Sequence, residues 1–345
     1  MNGYERIFAA LRGEPSDRIP IMLHNFLMAA QENGISMARF RRDGRAAAES
    51  FIRAVEKYEY DGIVVDISTT TLAGALAVPV DLPDDLPART KGPLLASLES
   101  VTNLPQPDIS GYFEVQTLLE AVSRLKSHCK DEVAVRGNCD QCPFSLAASV
   151  RGMENWMLDL ALGDPKLVHR LLSYCAEATK QMLRMMAEAG ADILSNGDSP
   201  AGPEMISPAM YREFALSYEM EIAALSHEMG HPYILHICGN TSAILPDMAG
   251  TGADGLELDH KTDARLARSV LNGKVVFLGN IDPSAVLALG TPALVERKTR
   301  ELLEIFAGET RFILNAGCAI PAGTPPENLG AMIRIARAFE PPKRS

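Results

Sequence analysis

The stretch Tyr233-Ile-Leu-His-Ile-Cys238, followed at once by Gly239-Asn240, decides the fold. It is a short apolar run that stops at a Gly-Asn pair, and this pattern predicts a buried strand that ends at a loop. Side chains two residues apart on a strand point to the same side, so His236 and Cys238 are expected to face one cavity. The run Phe312-Ile-Leu-Asn-Ala-Gly-Cys318 repeats the pattern and ends in a further cysteine.

Runs of the same kind alternate with amphipathic stretches along the chain. The predicted strands cover residues 18–23, 62–67, 133–138, 192–196, 233–237, 255–259, 275–280 and 311–316. The clearest helical patterns cover residues 46–57, 113–126, 166–189, 208–228 and 292–306. Eight strand–helix repeats predict the α/β class and a (β/α)8 TIM barrel, with residues 1–345 as a single domain. A doubly wound open sheet is the alternative, but no Gly-x-Gly-x-x-Gly follows the first strand.

Two segments lie outside the repeat. Residues 1–17 predict an N-terminal helical extension that caps the bottom of the barrel. Residues 73–111 are rich in proline and predict an irregular insertion after strand 2, in which a hairpin is one option.

Charge and composition exclude several classes of protein. With 33 basic and 44 acidic residues the net charge is −11, which argues against nucleic acid or an anionic membrane as a partner. No apolar run approaches the roughly 18 residues of a membrane span, and the N-terminus lacks a secretory h-region. Six cysteines are too few for a disulfide scaffold, so we expect a reducing, cytoplasmic setting.

Polar residues follow nearly every predicted strand, where the active site of a parallel barrel lies. They are His24, Asn25, Asp66, Asn138 to Asp140, Asn196, Asp198, His236, Cys238, Glu257, Asp259, Asn280, Asp282, Asn315 and Cys318. Among them Glu257, Asp259 and Asp198 are the candidate catalytic groups, although capping of the next helix is the alternative role. Candidate cofactor contacts are Asn240, Asn280, Asn196 and His24.

His236, Cys238 and Cys318 form a candidate metal site. Imidazole and thiolate suit Zn²⁺, and three protein ligands leave a fourth position open for chemistry, whereas a structural site has four. Strands 5 and 8 are not neighbours, so Cys318 must reach across the barrel mouth. The alternative is two buried cysteines acting as small hydrophobic groups beside a core histidine.

Two further motifs are set aside. The sequence His227-Glu-Met-Gly-His231 matches a zinc-protease pattern, but Gly230 and Pro232 predict that the helix ends before His231. The pair Cys139-Asp-Gln-Cys142 stands alone, without the second Cys-x-x-Cys of a structural zinc site, and is interpreted as cavity-lining thiols without a redox role. A supplementary metal ligand is the alternative.

Three segments together carry a family resemblance. They are His236-Ile-Cys-Gly-Asn-Thr241, Gly279-Asn-Ile-Asp-Pro283 and the segment Asn315 to Asn328, which begins Asn-Ala-Gly-Cys-Ala-Ile-Pro. The chain resembles the uroporphyrinogen decarboxylase superfamily, and within it most closely the corrinoid-dependent methyltransferase branch. The resemblance implies zinc held by His236, Cys238 and Cys318, and a small partner protein that brings its cobalamin to the barrel mouth. Family decarboxylases carry an arginine-rich loop after the first strand, where this chain has His24-Asn-Phe-Leu-Met-Ala-Ala30.

The predicted function is a zinc-dependent methyl transfer between a corrinoid on a partner protein and a small molecule. The methyl donor or acceptor stays open among thiols, folates, methylamines and aryl methyl ethers, and so does the direction of transfer. A metal-free decarboxylase acting on a tetrapyrrole and a non-catalytic corrinoid-binding module are the alternatives. The oligomeric state is also open, with a homodimer as one option.

Overall fold

The computed structural model describes residues 1–339. Its strands are β1 (Met22–Leu23), β2 (Gly62–Val65), β3 (Val80–Asp81), β4 (Arg89–Thr90), β5 (Ala134–Gln141), β6 (Ile193–Gly197), β7 (Tyr233–Ile237), β8 (Gly255–Leu258), β9 (Val276–Ile281) and β10 (Phe312–Ala316). Its α-helices are α1 (Gly3–Arg12), α2 (Phe26–Glu32), α3 (Met37–Phe40), α4 (Gly44–Tyr58), α5 (Thr71–Ala75), α6 (Phe113–Cys129), α7 (Pro143–Arg151), α8 (Met153–Leu162), α9 (Pro165–Glu188), α10 (Pro208–Phe214), α11 (Leu216–Glu228), α12 (Leu245–Ala249), α13 (Ala264–Leu271), α14 (Pro292–Ile305) and α15 (Pro326–Ala338). Short 3₁₀ or π turns cover Leu98–Asn103, Ser199–Ala201 and Pro283–Ala288.

Eight parallel strands form the barrel. Their order is β1-β2-β5-β6-β7-β8-β9-β10, and each pairs in parallel with the next. A parallel bridge between Ile21 and Leu314 joins the first strand to the last and closes the sheet. The predicted TIM barrel is therefore confirmed. The single domain over residues 1–345 stays a prediction, and residues 340–345 lie outside the described residues.

Helix α1 covers the bottom of the barrel, as predicted for residues 1–17. A capping box between Asn2 and Glu5 starts the helix. Its buried face includes Ile7 and Leu11, which pack against the lower barrel interior. That interior cluster also contains Met22, Val64, Ala134, Ile193, Ile234, Val276, Leu278 and Ile313. Burying one such aliphatic side chain contributes about 1.5–3 kcal/mol, so this cluster stabilises the lower half of the barrel.

The barrel interior changes character halfway up. On β5 the inward-facing Ala134 is followed two residues later by Arg136, and on β7 the inward-facing Ile234 is followed by His236. On β10, Asn315 follows Ile313 in the same way. The lower half of the barrel interior is therefore an apolar core, the foundation of the barrel, and polar interior side chains lie only in the upper half, at the strand ends.

The insertion after strand 2 is irregular, as predicted. It contains a two-stranded antiparallel hairpin, β3–β4, in which Val80 pairs with Thr90. The buried guanidinium of Arg41 donates to the backbone carbonyls of Pro83 and Leu86 and ties the hairpin to the barrel. Among residues 1–339, every helix is too short or too polar to cross a bilayer.

Three predicted boundaries were wrong. The first strand begins at Met22 instead of residue 18, because Pro20 has no N–H and Ile21 N donates to the Asp61 carboxylate (3.0 Å). The third strand runs on to Gln141 through an irregularity after Asn138.

The third error concerns the helix predicted over residues 208–228, which is divided at Ala215 into α10 and α11. The bend lets the Tyr211 hydroxyl donate to the buried carboxylate of Glu219 (2.5 Å). This local contact between two buried side chains has no signature in the hydrophobic pattern.

Candidate metal centre and active site

His236, Cys238 and Cys318 meet at the top of the barrel. His236 lies on β7, Cys238 directly follows it, and Cys318 follows β10. The distance from His236 Nε2 to Cys238 Sγ is 3.0 Å, and the two Sγ atoms are 3.6 Å apart. Among residues 1–339, this is the one group of three or more His, Cys, Asp or Glu side chains close enough to hold a metal ion.

The spacing fits a tetrahedral Zn²⁺. With Zn–S distances of about 2.3 Å, two thiolates on one ion lie about 3.8 Å apart, close to the separation found between the two sulfurs. All candidate ligand atoms of the group lie within 4.8 Å of one another. The donor set of one nitrogen and two sulfurs is also one that zinc prefers, so the residues present fit the ion.

The backbone fixes the orientation of His236. Its Nδ1 lies 2.9 Å from the carbonyl oxygen of Glu257, which faces it across the β7–β8 pair. A carbonyl only accepts, so Nδ1 carries the proton and Nε2 is directed at the sulfurs. This carbonyl–histidine contact is the outer-shell support usual for zinc ligands.

Electrostatics separate the two thiols. The hydrogen bond from Cys318, together with the nearby His236 ring, lowers the pKa of Cys238 to about 4 despite its burial. The Cys238 thiolate in turn raises the pKa of Cys318, and burial adds to the rise. Burial lowers the pKa of His236, but the Cys238 thiolate outweighs it and raises that pKa to about 10. Without metal the group therefore holds one thiolate in an ion pair with imidazolium.

A buried ion pair lies beside this group. Arg136 Nη2 is 2.5 Å from Glu257 Oε2, and Asn315 Nδ2 donates to Glu257 Oε1 (3.0 Å). Burial alone would raise the pKa of Glu257, but Arg136 and the nearby histidines lower it to about 2. Glu257, a candidate catalytic group, is thus a fixed carboxylate. Arg136 is not among the predicted site residues, although a charge inside the apolar run 133–138 is a usable signal.

Asp259 joins the loops around Cys238. Its carboxylate accepts the backbone N–H groups of Gly239 (2.9 Å) and Lys261 (3.0 Å), and lies 2.8 Å from His260 Nδ1. Asn280 donates its amide to the carbonyls of Asp259 (3.1 Å) and Thr262 (3.0 Å).

The other two candidate asparagines differ in exposure. Asn240 is exposed and closes a turn by accepting the Ser242 N–H (3.1 Å). Asn196 is buried and donates to the Cys139 carbonyl (2.8 Å). Of these two, only Asn240 reaches the solvent-facing rim.

Asp198 lies in a separate buried cluster behind the barrel wall. Its Oδ1 accepts the N–H (2.8 Å) and hydroxyl (2.5 Å) of Ser145 near the start of α7, so it caps α7 and not the turn that follows it in sequence. Burial raises the pKa of Asp198 to about 6 and also raises that of Glu219, its close neighbour. Within residues 1–339, no hydrogen bond connects its side chain to His236, Cys238 or Cys318, although its backbone N–H donates to the His236 carbonyl (2.8 Å).

The Cys139–Cys142 pair is also behind the wall, so the prediction that these thiols line the cavity was wrong. Cys139 is on β5 itself, and its Sγ lies 3.8 Å from the Gly137 carbonyl oxygen. Cys142 Sγ contacts the Tyr233 hydroxyl at 3.5 Å. Both thiols are fully buried, and burial raises the pKa of each.

His24, after β1, and Asp66, after β2, face each other at the barrel mouth. His24 Nε2 lies 2.9 Å from Asp66 Oδ2, which also accepts the Asn138 amide (2.9 Å). His24 was a candidate cofactor contact, and the structure places it in a His–carboxylate pair.

The His227–His231 motif does not form a metal site. Helix α11 ends at Glu228, so His231 lies outside it, and His227 Nε2 contacts Asp254 (2.8 Å) on the loop that precedes β8 at the bottom of the barrel. The sequence-based rejection of a zinc protease agrees with this geometry.

Comparison with known proteins places the chain in a family. The sequence profile described as uroporphyrinogen decarboxylase (URO-D) matches residues 2–339. A methylcobamide:CoM methyltransferase MtbA from Methanosarcina mazei is 31% identical, with 97% of each chain covered. A uroporphyrinogen decarboxylase from Prochlorococcus marinus is 28% identical over 93% of each chain.

A solved methyltransferase structure from Methanosarcina mazei has the same fold, with a TM-score of 0.88 at 24% identity over 97% of this chain and 98% of the other. The profile spans almost the whole described chain, and the MtbA relative is more than 30% identical over nearly its full length. The chain therefore belongs to the uroporphyrinogen decarboxylase (URO-D) family.

Proposed function

We propose that this protein is an enzyme that moves a methyl group between a corrinoid on a small partner protein and a small molecule, with Zn²⁺ at the barrel mouth. The observation that carries the proposal is the convergence of one imidazole and two sulfurs with 3.6 Å between the sulfurs. Three ligands leave one corner of a tetrahedral ion for substrate. Similarity to proteins named methylcobamide:CoM methyltransferase supports methyl transfer over other barrel chemistries.

The zinc held by His236, Cys238 and Cys318 would supply Lewis acidity that favours the thiolate form of a thiol or polarises the heteroatom of a methyl donor. The protein's own groups prepare the site. The Glu257 carbonyl holds His236 in the ligating tautomer, while the Arg136–Glu257 ion pair fixes the end of β8 that supplies this carbonyl.

The candidate catalytic carboxylates receive different roles. We assign Glu257 to orientation of the substrate, because a carboxyl group with a pKa of about 2 is a poor proton carrier near neutral pH. Asp259 holds the Gly239 and Lys261 backbones, and so shapes the rim. Asp198 supports the wall through Ser145 and α7.

The corrinoid would enter from the rim. Of the four candidate cofactor contacts, Asn240 is exposed and the His24 side chain is 13% exposed, whereas the amides of Asn196 and Asn280 are occupied by backbone carbonyls. We therefore assign corrinoid or substrate contacts to Asn240 and His24, and loop support to the other two. Six free cysteines suit a reducing, cytoplasmic setting.

A second candidate is a metal-free decarboxylase acting on a tetrapyrrole, which the similarity to uroporphyrinogen decarboxylases favours. The two candidates differ in what they require of the sulfurs. Decarboxylation without metal needs neither Cys238 nor Cys318, whereas zinc-dependent transfer needs both.

Metal analysis coupled to a transfer assay tests the proposal. The purified protein should contain about one zinc per chain, and it should demethylate free methylcobalamin when coenzyme M is added, followed by the change in visible absorbance. The Cys318→Ala variant should lose both zinc and turnover. A zinc-free wild-type protein that decarboxylates uroporphyrinogen would replace this proposal with the second candidate.

A further inference from the structure

The His24–Asp66 pair has the geometry of a proton-transfer dyad. The ring nitrogen Nε2 lies 2.9 Å from Asp66 Oδ2. Asp66 is 2% exposed and is held from two further directions, by the Asn138 amide on Oδ2 (2.9 Å) and the Ser68 N–H on Oδ1 (3.1 Å). A carboxylate held by several donors is a rigid anchor for an imidazole.

The contact with Asp66 decides which ring nitrogen of His24 is basic. An ionised carboxylate only accepts hydrogen bonds, so Nε2 carries the proton and Nδ1 has the lone pair. Among residues 1–339, no protein group hydrogen-bonds to Nδ1. The ring stacks on Phe26 with centroids 5.4 Å apart, which restricts its rotation. His24 thus presents a fixed, unused base, and its side chain is 13% exposed.

The dyad lies beside the candidate metal centre. The His24 carbonyl accepts the N–H of Ile320 (2.8 Å), and Ile320 is two residues beyond Cys318. His24 follows β1 and Cys318 follows β10, the two strands that close the barrel. Charged groups near the ring include Asp66 after β2 and Glu257 on β8, which is paired with Arg136 on β5.

We propose that His24 is a catalytic residue that moves the proton of the small molecule, with Asp66 and Asn138 as positioning residues. For a thiol acceptor, the S–H bond breaks, its proton forms a new N–H bond at His24 Nδ1, and the electron pair stays on sulfur as a thiolate. The imidazolium is stabilised by the Asp66 carboxylate. In the reverse direction the imidazolium returns the proton to the departing heteroatom. This inference rests on the proposed function.

Two thiols with the same carbon chain but different acidity test the role of His24. Ethanethiol and 2,2,2-trifluoroethanethiol serve as acceptors from free methylcobalamin, and fluorine makes the second much the stronger acid. General-base catalysis contributes roughly 100-fold or more, so the His24→Gln variant should lose about 100-fold in kcat/KM with ethanethiol. With trifluoroethanethiol the loss should be under about 10-fold, because less proton transfer is needed. Asp66→Asn should give the same pattern with a smaller loss.

The chain provides a matched control. His227 contacts Asp254 through Nε2 at 2.8 Å, the same type of pair, but at the bottom of the barrel. The His227→Gln variant should keep wild-type rates with both thiols, and the His24→Gln variant should keep its zinc. Equal loss with both thiols, no loss with either, or loss of zinc from His24→Gln would overturn the proton-transfer role while leaving the zinc-dependent transfer intact. A wild-type protein inactive with both thiols and with coenzyme M overturns both proposals.

Discussion

The two cysteine pairs of this chain differ in a way that sequence spacing hides. Cys139 and Cys142 are neighbours in sequence, yet their sulfurs contact different groups, a carbonyl and a tyrosine hydroxyl. Cys238 and Cys318 are 80 residues apart, yet their sulfurs are 3.6 Å from each other. The barrel brings strand ends together irrespective of their separation along the chain, so the sulfurs of the distant pair are close enough to share a metal ion.

Their surroundings differ as well. The side chains of Cys139 and Cys142 are fully buried behind the wall, and burial raises the pKa of both thiols. Cys238 is partly exposed, and the Cys318 thiol and the His236 ring stabilise its thiolate. A thiol pair therefore becomes reactive through its neighbours, and the Cys-x-x-Cys pattern alone does not predict it.

Metal binding should show the largest difference between the pairs. We expect Cys238→Ala to weaken zinc binding by more than about 100-fold. Replacing a residue that only hydrogen-bonds to a zinc ligand already lowers zinc affinity by up to about 100-fold, and loss of a ligand should lower it further. The measurement is competition with a chromophoric zinc chelator. Cys139→Ala is the matched control and should bind zinc as the wild type does. Retained zinc in Cys238→Ala would remove the distinction between the pairs.

The two cysteine pairs should also differ in how readily they form a disulfide once the metal is removed. When the zinc is chelated and diamide is added, the Cys238 and Cys318 thiols should give up two hydrogens to the diamide and form a disulfide, because little movement separates the sulfurs. Two of the six thiols should then be lost, and peptide mapping should find a 238–318 link. Zinc-loaded protein should resist. A 139–142 link forming first would reverse the comparison.

The last contrast is in the pH dependence of alkylation. In the metal-free protein, the pKa of Cys238 is lowered to about 4, so its thiolate persists as pH falls and is lost only near that value. Its iodoacetamide rate should be nearly flat from about pH 5.5 to 8, whereas an ordinary thiol with a pKa of about 8.5 slows about tenfold per unit. Mass spectrometry of the labelled peptides measures the rate at each cysteine. Cys139 and Cys142 should stay unlabelled until the protein unfolds. A tenfold fall in the Cys238 labelling rate per pH unit would contradict a lowered pKa for this thiol.

Much of the fold follows from the sequence because the barrel repeats one simple pattern. Each apolar run ends in a polar group, and the rule that parallel strands place these ends at one rim is sufficient to gather His236, Cys238 and Cys318. Helix α1 and the proline-rich insertion were also predicted, since both break the repeat. These features depend on local composition and on the order of strands and helices, and both can be predicted from a single sequence.

The features that the sequence did not reveal depend on contacts between side chains. The pairing of Arg136 with Glu257 joins strands that are not adjacent, and periodicity contains no information on such partners. The bend at Ala215 and the capping of α7 by Asp198 likewise depend on burial of particular polar groups. The base at His24 was predicted only as a cofactor contact, because its tautomer is set by Asp66, which is distant in sequence.

The change from apolar to polar halfway up the barrel has an evolutionary consequence. The foundation formed by α1 and the lower interior is spatially distinct from the layer that contains Arg136 and His236. Substitutions at the exposed rim, as at Asn240, can therefore alter which small molecule is accepted with little loss of folding free energy, whereas removing one partner of the buried Arg136–Glu257 pair would be strongly destabilising. A one-residue deletion within β7, in contrast, would turn His236 away from the lumen, since side chains alternate along a strand. New specificities in this scaffold should thus arise by exchange of side chains at the rim, and changes in length should be tolerated only in the loops.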